Sequence, residues 1–147
     1  IDLVVRRGAD GLLAHAPEYL ERLFQPFFHD RLGMVQVAGD PEVIRAPALS
    51  FDGRLLSSRF SRSKIKAGYE KAGQELDSES LKALETAIDI LEQKHMAAEF
   101  LMERGHIQFI NNREGLHHRS AFVDTPERKR HLVRLWYRNE GRPLFDG

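Results

Sequence analysis

Gly105-His106-Ile107-Gln108-Phe109-Ile110-Asn111-Asn112-Arg113, followed by Leu116-His117, Arg119, Ala121-Phe122 and then Arg130-His131-Leu132-Val133-Arg134-Leu135-Trp136, is the densest chemistry in this 147-residue chain. Ile107 to Ile110 reads as a strand, and the polar run after it as a turn that delivers two adjacent histidines, His117 and His118. A further strand is expected from about Arg130 to Arg138. Alternation along it puts Arg130, Leu132, Arg134 and Trp136 on one face and His131, Val133, Leu135 and Tyr137 on the other. A charged, solvated sheet face is the common explanation of two such arginines. Leu132 and Trp136 between and beside them would waste apolar area there, and fit better in an enclosed pocket for an acidic small molecule. Guanidinium forks hold a carboxylate bidentately, and an aromatic ring supplies a wall.

Outward from this stretch, the rest of the chain reads as strands and loops around one clear helix. Asp77 or Ser78 can cap a helix running to about Lys94, because Leu81, Leu84, Ile88 and Leu91 recur at three- and four-residue steps. Glu99 to Glu103 and Ile107 to Ile110 are expected as strands joined by a turn at Arg104-Gly105. Leu49-Ser50-Phe51 and Leu55 to Phe60 read as a hairpin closed by a two-residue turn at Asp52-Gly53. Short β-type runs precede it at Phe27-Phe28, Met34 to Val37 and Val43-Ile44. Near the start, Asp10 is a candidate helix cap, Pro17 starts a second helical stretch, and Pro26 ends it. The fold class expected is mainly β with inserted helices, part of a jelly roll. Its open edges would need to be covered by further residues or by a partner chain, a homo-oligomer being one way to do so.

Composition narrows the function classes. With 22 Lys and Arg against 22 Asp and Glu, no basic field favours nucleic acid. The absence of cysteine excludes disulfides and thiolate metal sites and makes a reducing cytoplasm the default compartment. No apolar window is long enough to span a membrane, and no signal-peptide pattern opens the chain. The opening Ile1-Asp2-Leu3-Val4-Val5 reads as a chain cut from something longer. Of the seven histidines, His15, His29 and His95 read as surface or loop polarity.

In order, spacing and residue type, the stretch quoted first resembles the C-terminal signature of taurine dioxygenase-like enzymes, which are iron(II)- and 2-oxoglutarate-dependent dioxygenases. Weaker similarity runs back through Asp52-Gly53-Arg54 and the capped helix to the region from Leu13 to Phe28. The resemblance implies a double-stranded β-helix in which iron(II) is held by a His-x-Asp/Glu pair and a distal histidine, with 2-oxoglutarate as cosubstrate. A two-His-one-carboxylate set fills one face of an octahedron and leaves the other for cosubstrate and oxygen. His117 stands at the distal-ligand position. His118 replaces a usual glycine, and since neighbours on a strand face opposite ways, one of the two reaches the metal, His117 being favoured. Arg130 stands where the family grips the distal carboxylate of 2-oxoglutarate. Arg134 would assist it or bind an anionic group on the substrate. His106 takes a place where aspartate is common.

The residues two places after the seven histidines are Pro17, Arg31, Ala97, Gln108, Arg119, Ser120 and Val133, so the chain contains no His-x-Asp or His-x-Glu. The family places that pair earlier than the part seen here. Residues 1–147 are therefore expected to be a single domain, the C-terminal part of a dioxygenase jelly roll with its N-terminal part missing and inactive by itself. The complete enzyme would oxidise a small, anionic organic substrate with molecular oxygen. The alternative is a noncatalytic jelly-roll module that keeps the carboxylate pocket for binding, and a His-x-Asp/Glu encoded upstream of Ile1 would separate the two. A generic β-sandwich without a site leaves the joint His, Arg and Asn-Asn-Arg pattern unexplained.

Overall fold

Pro17 opens helix α1 (Pro17–Leu23) at the position where its missing N–H costs nothing. Glu18 in its first turn and Arg22 in its last complement the helix dipole, and the chain leaves it before Pro26, as expected. The computed structural model describes residues 12, 14, 16–31, 41–96, 98–111, 115–117, 121–127 and 129–135. The Asp10 cap, the run from Met34 to Val37, and the positions of His15, His118, Trp136 and Tyr137 lie outside these residues. The chain divides into two units, residues 1–116 and 117–147.

In the first unit, β1 (Pro26–Asp30) pairs antiparallel with β2 (Val43–Pro47), with Phe28 opposite Arg45. Strands β3 (Leu49–Phe51) and β4 (Leu56–Ser58) form a second antiparallel pair, with Phe51 opposite Leu56. The hairpin is present, but its connection is the four residues 52–55 rather than a two-residue turn. The Asp52 carboxylate explains this: its Oδ1 accepts from the N–H groups of Arg54 at 2.9 Å and Leu55 at 2.7 Å, so the side chain closes the loop. Gly53, at φ +90°, supplies the backbone conformation the loop needs.

Helix α2 (Arg62–Ala72) was not anticipated, because its charged residues and internal Gly68 blur the apolar period. Ile65 and Tyr69, one turn apart, bury into the core, and Gly73 ends the helix in the left-handed conformation at φ +62°. Gly68 lies against β1 so closely that a Cβ there would fall 2.5 Å from the Phe28 carbonyl oxygen. The C-terminal end of α2 is tied to the sheet by Lys71, whose ammonium donates to Asp30 at 3.0 Å and Glu42 at 3.3 Å. Those bonds hold its pKa above the usual lysine value.

Helix α3 (Ser78–Leu91) has Asp77 as its cap, accepting from the Ser80 N–H at 2.8 Å and the Ser80 hydroxyl at 2.6 Å. These hydrogen bonds from Ser80 hold the Asp77 carboxyl below the usual carboxylate range. The Ser80 oxygen also accepts from Arg22 Nε at 2.6 Å, which joins α3 to α1 through the buried Ser80 hydroxyl. The helix ends at Leu91, short of Lys94, and a 3₁₀ turn over Lys94–Met96 follows. Leu23, Phe27, Leu49, Ile65, Ala83, Leu84 and Ala87 form the centre of the core, where the helices meet β1 and the second hairpin.

The expected strands at 99–103 and 107–110 are not formed among the described residues 98–111. The turn at Arg104-Gly105 is, with Gly105 at φ +89° and the His106 N–H donating to the Glu103 carbonyl at 3.1 Å. A β-type sequence becomes a strand only when a neighbour completes its hydrogen-bond ladder. Here Phe100, Leu101, Ile107 and Phe109 are exposed instead of being paired into a sheet. The described part of the last expected strand, 130–135, is likewise not in a ladder.

Candidate active site

His29 is excluded from the candidate set by its position, and the surface reading of it is corrected. It lies on β1 at 3% exposure, with Nε2 3.0 Å from the Ala46 carbonyl, because β1 turns Phe27 and His29 toward the same side. The carbonyl has no proton, so the imidazole N–H donates to it and Nδ1 carries the lone pair, which has no hydrogen-bond partner among the described residues. Burial pushes the pKa of this imidazole down to about 4. His95, in contrast, is exposed as expected.

The three residues singled out for chemistry, His117, Arg130 and Arg134, all fall in the second unit. Arg134 Nη2 lies 3.0 Å from His117 Nε2. A guanidinium can only donate, so Nε2 is the acceptor and the imidazole proton sits on Nδ1. The tautomer is thereby set to the one that presents the Nε2 lone pair.

Arg130 is held by two neighbours. Its guanidinium carbon stands 4.5 Å from the centroid of the Phe122 ring, and its backbone N–H donates to Asp124 Oδ1 at 2.8 Å. It is partly buried, whereas the described residues around it from 121 to 135 are exposed. Alternation on a strand, from which Arg130 and Arg134 were expected to share a face, is thus replaced by individual contacts: Arg134 to the histidine, Arg130 to the aromatic. Phe122 belonged to the quoted stretch without a role, and Asp124 was not singled out. The signal that could have found them is an aromatic and a carboxylate eight and six residues before the arginine.

Iron(II) is the metal the resemblance implies, and the donors present do not suffice for it. No three His, Asp or Glu side chains converge as metal ligands among the described residues. The lone pair of His117 that a metal would take is occupied by a cationic guanidinium, which opposes a dication at the same atom. No helix among the described residues is long and apolar enough to cross a membrane.

FR-33289 synthase of Streptomyces rubellomurinus is 29% identical over 139 residues, covering 91% of this chain and 41% of that protein. The chain thus spans about two fifths of the length of the curated relative it matches. The family description "Taurine catabolism dioxygenase TauD, TfdA family" matches residues 9–136, which include both arginines and the histidine pair. The chain belongs to the TauD, TfdA family of dioxygenases.

Proposed function

We propose that this chain supplies the cosubstrate-binding part and one metal ligand of an iron(II)- and 2-oxoglutarate-dependent dioxygenase that oxidises a small, anionic organic molecule with molecular oxygen. The fold of the complete enzyme is a double-stranded β-helix, to which residues 1–147 contribute the C-terminal part of a single domain. Supporting this are the family membership and the coverage of 41% of the relative. In this reading His117 binds the metal once the Arg134 guanidinium has left its Nε2, Arg130 grips the distal carboxylate of 2-oxoglutarate, and Arg134, so released, binds or aligns an anionic group of the substrate. The observation that carries it is the family match over residues 9–136, which include His117, Arg130 and Arg134.

The chain alone should bind iron(II) poorly, because one imidazole leaves too few protein ligands to compete with water. Anaerobic calorimetric titration of the 147-residue chain measures this. Tight one-to-one binding would require a ligand set other than the one assigned. A second reading is a noncatalytic carboxylate-binding module of the same family. A coding sequence with His-x-Asp/Glu upstream of Ile1, and succinate formation by its product, would decide for the enzyme.

A further inference from the structure

We propose that Phe122 and Asp124 are positioning residues for the carboxylate grip of Arg130, which rests on the reading of Arg130 as the 2-oxoglutarate anchor. An arginine reaches its ligand through a long, flexible stem, so a strong bidentate contact requires both ends of the side chain to be placed beforehand. Here the two ends are placed by different residues. Asp124 Oδ1 accepts from the Arg130 N–H at 2.8 Å, which ties down the backbone from which the stem departs. The Phe122 ring lies 4.5 Å from the guanidinium carbon and fixes the far end.

The chemistry of the contact suits a preorganised anion site. All five N–H donors of a guanidinium lie in its plane, so an aromatic ring against its face uses none of them. The ring also covers one side of the cation with apolar surface, and Arg130 is partly buried amid exposed neighbours. A carboxylate approaching in the guanidinium plane then meets donors with a fixed direction and a less hydrated charge. An aliphatic side chain at 122 would cover some area but lacks the negative ring face that holds a cation.

The test is an NMR titration of the 147-residue chain with 2-oxoglutarate at constant ionic strength, following the Arg130 Nε–Hε signal. In the wild type and in Phe122→Tyr, that signal should carry a ring-current shift and should move on addition of ligand. Phe122→Leu should abolish the ring-current shift and weaken binding about two- to fivefold, the equivalent of an exposed cation–π contact. Asp124→Ala should weaken binding independently, whereas Asp124→Asn, which keeps an accepting oxygen, should restore it. Phe122 is 57% exposed, so these replacements leave the core intact. Arg130→Ala distinguishes the two levels of the argument. If it abolishes binding while Phe122→Leu and Asp124→Ala leave affinity unchanged, the positioning role is overturned and the anchor stands. If Arg130→Ala binds as the wild type does, or if the wild type shows no binding, the anchor falls and the positioning role with it.

Discussion

Gly68→Ala sets two effects of opposite sign against each other, and the geometry decides between them. Position 68 is inside α2, where alanine is favoured over glycine by about 1 kcal/mol. On propensity alone the variant should be more stable. The added Cβ, however, would lie 2.5 Å from the Phe28 carbonyl oxygen, 2.6 Å from its carbon and 2.7 Å from the His29 nitrogen. All three are backbone atoms of β1, so no side chain can rotate away. Restoring ordinary contact requires α2 and β1 to separate by about 1 Å, which also draws Ile65 and Tyr69 out of a close-packed core. Overpacking of this kind costs about 1–3 kcal/mol and should exceed the propensity gain when the shift is shared by a whole helix. The expected net loss is up to about 2 kcal/mol, or up to roughly 8 °C in Tm for a chain of this size. Urea denaturation should show a lower midpoint with an unchanged slope. Gly73→Ala is the contrast: nothing lies within 4 Å of its Cβ, but φ is +62°, so its cost is conformational. A Gly68→Ala protein more stable than the wild type would refute the close approach of α2 to β1.

Three further expectations follow from the buried histidine and the candidate site. His29 has a folded pKa of about 4 against an ordinary value of 6.5, so the unfolded chain takes up the proton first as pH falls. The stability associated with neutral His29 is complete above about pH 6.5 and is lost between there and about pH 4, amounting to about 2–3 kcal/mol by pH 4.5. Denaturation midpoints should therefore fall more steeply with acid for the wild type than for His29→Gln, and parallel profiles would contradict this. In a protein carrying the complete site, His117→Ala should abolish iron retention and 2-oxoglutarate turnover while His118→Ala spares much of both; the reverse outcome would shift the ligand by one residue. Arg130→Ala should raise the 2-oxoglutarate requirement about 30- to several-thousand-fold, as loss of a buried bidentate carboxylate contact costs about 2–5 kcal/mol. Arg134→Ala should act instead on the prime substrate or on coupling, and succinate formation with unchanged 2-oxoglutarate dependence in both variants would return the arginines to a solvated surface.

Much of the local structure and the family were legible in the sequence, because each of those signals is contained in a few neighbouring residues. Asp77 three residues before Ser80 caps α3, Pro17 opens α1, and the polar turn with two histidines and two spaced arginines points to the dioxygenase family. What depended on distant residues was not legible. Helix α2 has a glycine at its centre because a strand backbone lies against it, and only the packed structure reveals that. His29 looks like loop polarity until β1 pairs with β2 and turns it inward. The β-type runs at 99–103 and 107–110 show the reverse dependence: apolar alternation states a preference, but a strand exists only when another backbone completes its ladder. The same limit applied at the candidate site. Spacing along the chain picked out His117, Arg130 and Arg134, whereas folding decided that Arg134 meets the imidazole and Arg130 the ring of Phe122, since side-chain contacts depend on where the backbone returns in space.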